Sequence, residues 1–217
     1  MCKVLVIGGA GSAGISLIES LKDEYEVEIL DIVSKNNSYF KDSDIPYHWK
    51  SIQDIKPDDI KDYNIIIHFA AQADAPIWTC YQNIYGSLNL FECARYSDKL
   101  EKVIIASSGT EYGKRYYIPI DERHPLIPTN PYSWSKASQE MCAMTYYYSY
   151  KLPVVVLGSG VIVGPHMRKE IFLYKWLYNL LNDKPIIVEG GNQTRDITYI
   201  SDVVDAYKLV LQRDDIV

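Results

Sequence analysis

Little in this chain suits a protein held by disulfides, built around a metal or set in a membrane. Its four cysteines, Cys2, Cys80, Cys93 and Cys142, are scattered without a C-x-x-C pair, which argues against a disulfide framework and against a zinc site. The four histidines, His48, His68, His124 and His166, have no ligand spacing, so no metal is expected. No apolar run approaches the roughly 18 residues of a membrane span, and the amino terminus lacks the layout of a signal peptide. A cytoplasmic protein with no membrane partner is expected. Positive charge is short as well: 22 Lys and Arg against 28 Asp and Glu leave a net charge of −6, which argues against nucleic acid as a partner. Phenylalanine is scarce, four against 19 tyrosines. What remains is ordinary globular usage, 47% hydrophobic and 23% charged over 217 residues, enough for one large domain or one and part of a second.

Short β-branched runs alternate with longer segments of helical period, the pattern of a parallel sheet built from crossover units. Strands are predicted at Lys3–Ile7, Glu26–Leu30, Ile65–Phe69, Lys102–Ala106 and Pro153–Leu157, and helices at Ala13–Leu21, Asn83–Tyr96 and Pro131–Tyr150. Runs such as Val4-Leu5-Val6-Ile7 are apolar throughout, as strands covered on both faces require. After Gly164-Pro165 the rhythm changes to a helix around Lys169–Leu181, a short Ile186–Val188 strand and a last helix from about Ser201. The stretch Lys114–Asn130 is rich in proline and charge and without period, which predicts a loop at the rim of a site.

Three constellations carry chemistry. The first strand runs into Gly8-Gly9-Ala10-Gly11-Ser12-Ala13-Gly14 and then a helix, a bend that lets backbone approach a pyrophosphate at a helix amino terminus. Asp31, at the end of the second strand, can accept hydrogen bonds from ribose hydroxyls and would repel a 2′-phosphate, which favours NAD over NADP. In Asn130-Pro131-Tyr132-Ser133-Trp134-Ser135-Lys136, Asn130 can cap a helix and Pro131 can fill its first turn, which sets Tyr132 and Lys136 on one face. A phenol is a poor base at neutral pH, and an ammonium one turn away stabilises its phenolate. The third is Ala106-Ser107-Ser108-Gly109-Thr110-Glu111-Tyr112-Gly113, after a predicted strand, where a serine hydroxyl can share a substrate oxygen with the tyrosine.

Together, in this order, these pieces resemble the extended short-chain dehydrogenase/reductase family, and within it the NAD-dependent epimerase/dehydratase branch. Ile67-His68-Phe69-Ala70-Ala71-Gln72, Asn83-Ile84-Tyr85-Gly86-Ser87-Leu88-Asn89-Leu90, Gly164-Pro165 and Arg195-Asp196-Ile197-Thr198-Tyr199-Ile200-Ser201-Asp202-Val203 are similar as well. The resemblance implies an α/β fold, a doubly wound Rossmann-type parallel sheet with a small, partial C-terminal substrate-binding unit. The NAD-binding domain would cover residues 1–164 and the partial unit residues 165–217.

By that resemblance Gly8, Gly11 and Gly14 hold the pyrophosphate of NAD, Asp31 the ribose and Asp54 the adenine side, while Ala70 and Ala71 line the nicotinamide ribose channel. Tyr132 is the acid/base, Lys136 holds the nicotinamide ribose and tunes Tyr132, and Ser108, counted back from Gly113 in preference to Thr110, assists. Arg195 grips the diphosphate of a nucleotide-sugar, which suits a guanidinium fork. The implied activity is epimerisation of a nucleotide-sugar; dehydratase, decarboxylase and small-alcohol dehydrogenase chemistry, and a non-catalytic NAD-binding module, stay open as alternatives. The Tyr132–Tyr150 helix is expected to form a homodimer contact.

There are departures. Dehydratases and decarboxylases of the family usually carry an acidic residue two positions after the catalytic Ser/Thr, where this chain has Thr110, with Glu111 next to it. After the Pro153–Leu157 strand the family's Arg-x-x-Asn is replaced by Gly158-Ser159-Gly160-Val161. The connection from Gln72 to Asn83 is short for an epimerase and carries Asp74 and Trp78. Members usually run considerably longer, so the carboxy-terminal part of the usual substrate domain is expected to be missing.

Overall fold

The computed structural model describes residues 1–73, 76–213, 215 and 216; Asp74 lies outside them. Strands β1 (Lys3–Ile7), β2 (Glu26–Asp31), β3 (Tyr47–Trp49), β4 (Ile65–His68), β5 (Lys102–Ser108) and β6 (Val154–Ser159) form one parallel sheet in the order β3-β2-β1-β4-β5-β6. Helices α1 (Ser12–Leu21), α2 (Pro57–Ile60), α3 (Ile77–Ala94) and α4 (Pro131–Tyr150) make the crossovers. The two-residue period of the strands sorts the core. Val4, Val6, Ile65, Ile67 and Ile104 face one layer, with Leu17, Ile18 and Leu21 of α1. Leu5, Ile7, Ile66, Val103 and Ile105 face the other, with Leu90 and Phe91 of α3 and Ala143 and Tyr146 of α4.

The strand order reverses between β1 and β4, which pair with Ile7 beside His68. At such a switch point the loops after the two strands part and leave a crevice at their carboxyl ends. Here those loops begin at Gly8 and Phe69.

Beyond the sheet, β7 (Val161–Val163) pairs in parallel with β8 (Ile197–Tyr199), flanked by α5 (Phe172–Leu181) and α6 (Ile200–Gln212). The residues after 164 do not all stand apart. Ile200, Val203, Val204, Tyr207, Val210 and Leu211 of α6 join the α1 layer of the main core. Lys102 of β5 is buried and donates to the carbonyls of Val210 and Arg213, both at 2.7 Å, so an ammonium satisfies the last carbonyls of α6.

The five predicted strands form within two residues at each end. The sixth, Ile186–Val188, does not: Ile187 and Val188 stay exposed, and the segment folds back on α5, where Trp176 Nε1 donates to the Ile187 carbonyl at 3.2 Å. Its place in the small sheet is taken by β7 and β8. The edge strand β3 carries no apolar run, and α3 starts six residues before the predicted Asn83 and closes at Ala94. Among the described residues no helix is long and apolar enough to cross a membrane.

Candidate active site

Two adjoining cavities fill the crevice, sharing Gly8, Gly11, Phe69 and Ala71 on their walls. The first, about 300 Å³, lies over the ends of β1 and β2. At Gly8 the backbone has φ +79°, and a Cβ there would come within 2.5 Å of the Ala70 backbone nitrogen, so only glycine lets the two loops close up. A Cβ at Gly14 would meet Gly9 backbone at 2.7 Å, which presses α1 onto the bend. Gly11 faces the open crevice, and as the cap of α1 it brings no side chain to the first-turn N–H groups. Free N–H groups and the positive end of a helix suit a bound pyrophosphate.

Asp31 ends β2 in the same cavity. Its Oδ2 accepts from the Ala10 N–H at 2.9 Å and its Oδ1 from the Val33 N–H at 2.9 Å, so the carboxylate is fixed on the wall with lone pairs left for a ribose. Asp54 is not with it. The 3-10 turn Ile52–Asp54, capped by Ser51, sends Asp54 outward to an exposed position, and Ser51, Ile52 and Gln53 line the cavity instead. Ala70 and Ala71 line it as expected.

The second cavity, about 510 Å³, gathers Ser108, Tyr132, Lys136 and Arg195 with Gly11 and Gly14. The start of α4 explains how two of them arrive. Asn130 Oδ1 accepts from the Ser133 N–H at 2.9 Å while Ser133 Oγ accepts from the Asn130 N–H at 3.1 Å, with Pro131 in the first turn. Lys136 is buried and donates to the Ala106 carbonyl at 2.6 Å and to Gln139 Oε1 at 3.0 Å. Burial pushes its ammonium down to about 8, while the Glu111 carboxyl works the other way. Gln139 in turn donates to Ser87 Oγ at 2.5 Å, and Ser87 meets His68 Nε2 at 2.8 Å. His68 is buried and held neutral, its charged form pushed down to about 3 by burial. Asn83 grips the backbone of Gln72 at both N–H and carbonyl, 2.9 and 3.0 Å, and donates to Ser135 Oγ at 3.1 Å. This buried network ties the loop after β4 to α3 and α4.

A sequence profile of the NAD dependent epimerase/dehydratase family matches residues 4–217. The chain belongs to that family. A Methanocaldococcus jannaschii protein provisionally named UDP-glucose 4-epimerase is 32% identical to it, over 96% of this chain and 73% of the relative. Human dTDP-D-glucose 4,6-dehydratase is also 32% identical, over 97% of this chain and 66% of the relative. Among solved structures, the dTDP-glucose 4,6-dehydratase of Bacillus anthracis in complex with NAD superposes with a TM-score of 0.87 at 25% identity, covering 100% of this chain and 73% of that one. The chain spans about two thirds to three quarters of the length of these three relatives.

Within this epimerase/dehydratase chain, sequence reasoning weighed Thr110 and missed Arg115 and Arg168. Thr110 lines the cleft and its Oγ1 lies 3.0 Å from Ser108 Oγ. Arg115 and Arg168 line it beside Arg195. Thr194 holds two of the three, accepting from Arg115 on its hydroxyl at 3.0 Å and from Arg195 on its carbonyl at 2.9 Å. Arg115 falls in the stretch whose composition marked a rim loop, so that signal was present; Gln139 and Ser87 carry none that a helical pattern reveals.

Proposed function

We propose that this chain is an NAD-dependent epimerase that inverts a hydroxyl-bearing carbon, C4 in the simplest case, of a nucleotide-sugar. NAD, when bound, supplies a reversible hydride acceptor. Tyr132 takes the hydroxyl proton and returns it, Lys136 stabilises the phenolate, and Ser108 shares the same oxygen. Arg195, with Arg115 and Arg168 along the wall, suits the diphosphate of the substrate. Net redox is zero.

The observation that carries epimerisation over dehydration is Thr110. Expelling water needs an acid beside the leaving hydroxyl. The position two residues after Ser108 holds a hydroxyl turned to Ser108, and the neighbouring Glu111 is buried against Ser107 and takes no part in the cleft wall. A bare NAD-binding module would need neither Ser108, Tyr132 nor Lys136, so their meeting in one cleft supports catalysis.

The reading includes a homodimer through α4 and its neighbour α3. Tyr81, Tyr85 and Leu88 of α3 and Met141, Met144 and Tyr148 of α4 are exposed at three- and four-residue spacings, two apolar stripes that a two-fold axis would bring onto their own copies. Cys2, Cys80, Cys93 and Cys142 form no disulfide, which suits a reducing, cytoplasmic setting.

The test is incubation of the purified protein with NAD and a panel of UDP-sugars, followed by NMR of the sugar. A C4-inverted product without net NADH is expected. Stoichiometric NADH without isomerisation, or a 4-keto-6-deoxy sugar, contradicts the reading.

A further inference from the structure

Lys136 and Gln139 stand one turn apart on α4, both buried, and most of the lysine's three N–H donors are committed within the protein. One goes to the Ala106 carbonyl at 2.6 Å and one to Gln139 Oε1 at 3.0 Å, so the third is what the ammonium can offer the cleft whose wall it lines. An amide oxygen faces Lys136 because α3 decides the sense of the Gln139 amide. Gln139 Nε2 donates to the Asn83 carbonyl at 3.2 Å and to Ser87 Oγ at 2.5 Å. Reversing the amide would set oxygen against that carbonyl and an NH2 group against the ammonium, two unfavourable pairs in a buried place. The Ser87 hydroxyl donates its own hydrogen to the Asn83 carbonyl at 3.1 Å, which leaves its oxygen to accept. His68, at the end of β4, closes the chain. Its Nε2 lies 2.8 Å from Ser87 Oγ, where it donates, and its Nδ1 is buried with no partner among the described residues. A second proton on Nδ1 would find no acceptor, so the ring stays a neutral donor and the order of the chain does not reverse.

We propose that Gln139 is a positioning residue for Lys136: its amide, locked by Asn83 and by Ser87 with His68 behind it, occupies one N–H of the ammonium and turns the remaining one to the cleft. The inference rests on the part given to Lys136 above. What it asks of Gln139 is an acceptor at Oε1, a requirement separate from packing. The titratable groups that act on Lys136 are Glu111 from the turn after β5 and Tyr132, which shares its cavity, while His68 at the end of β4 is held neutral. The variants below leave all three in place.

The experiment follows Lys136 directly, by NMR of nitrogen-15-labelled lysine across a pH series, with its signal assigned from its loss in Lys136→Met. In Gln139→Met the acceptor is gone, and the midpoint of Lys136 is expected to fall by about one pH unit. In Gln139→Glu an acceptor stays and gains charge, and the midpoint is expected to rise by about one pH unit or more. Both variants lose the donor to Ser87 and Asn83, so a merely structural role would move them the same way. Ser87→Ala leaves the contacts of Lys136 itself intact and loosens the amide, which should lower the midpoint by about half a pH unit and covers Gln139 variants that do not fold. A midpoint that stays in place in Gln139→Met or in Ser87→Ala, or that fails to rise in Gln139→Glu, overturns the proposal. Sugar turnover enters none of these readouts, so a protein that inverts no sugar leaves them decisive, and a failed shift of Lys136 leaves the epimerase reading to its own test.

Discussion

The Lys136 ammonium is fastened to the Ala106 carbonyl at 2.6 Å, so the cation four residues past Tyr132 is pinned to the strand that ends in Ser108. One hydrogen bond thereby fixes the distance between the helix that carries Tyr132 and the strand that carries Ser108. Gln139 holds the same ammonium from the other side at 3.0 Å and connects it to Ser87 and His68. The proposed chemistry depends on that placement, and its consequences can be measured.

The first concerns pH. Burial pushes Lys136 from its ordinary 10.5 to about 8, so its charge is present below about 8 and lost above. Turnover should fall as pH rises through about 8, and Lys136→Met should lose about 100-fold or more at every pH. The stability of wild type carries the opposite sign. The buried charge is a cost below about 8 that is relieved between 8 and 10.5, so wild type gains on Lys136→Met across that window. A pH series of kcat and of denaturant midpoints checks both.

Cofactor choice should turn on Asp31. Its two oxygens already hold the Ala10 and Val33 N–H groups, and its charge faces the cavity where a 2′-phosphate would lie. Asp31→Asn keeps an acceptor and removes the charge. The ratio of NAD to NADP affinity should drop about tenfold or more, read by fluorescence titration of both dinucleotides.

The glycine bend gives a third outcome. Gly8→Ala forces a Cβ to 2.5 Å from the Ala70 nitrogen at φ +79° and should cost more than about 1 kcal/mol, with loss of NAD affinity. Gly109→Ala, whose Cβ meets nothing nearer than the Ser159 carbonyl at 3.5 Å, should leave stability within about 1 kcal/mol of wild type. Urea titration of the two variants side by side decides it.

A fourth outcome concerns assembly. Met141→Glu with Met144→Glu places charges in the stripe on α4. Light scattering should then show a monomer where wild type gives a dimer, because an unpaired charge at a contact core is expensive.

The main sheet was legible in the sequence because its strands are uniform apolar runs bounded by glycine and polar turns. Asn130 and Pro131 marked the start of α4 as clearly, through cap chemistry alone. Tertiary pairing decided the rest. Ile186–Val188 has the composition of a strand and no partner, whereas Val161–Val163 and Ile197–Tyr199, far apart in sequence, pair with each other. In the site, Gly8, Gly11, Gly14, Asp31, Ala70 and Ala71 were readable from spacing and resemblance, and all line the crevice. Asp54 lies exposed outside the cavity, because Ser51 caps the turn that brings Ile52 and Gln53 to its wall, a placement that only the fold decides.

The most direct test of the account follows a deuterium placed at C4 of the UDP-hexose that the protein converts. Hydride removed and returned within one closed cleft predicts a C4-inverted product that keeps its deuterium, and a Tyr132→Phe protein that folds and makes none. Deuterium lost to solvent during inversion, or full turnover by Tyr132→Phe, would contradict it.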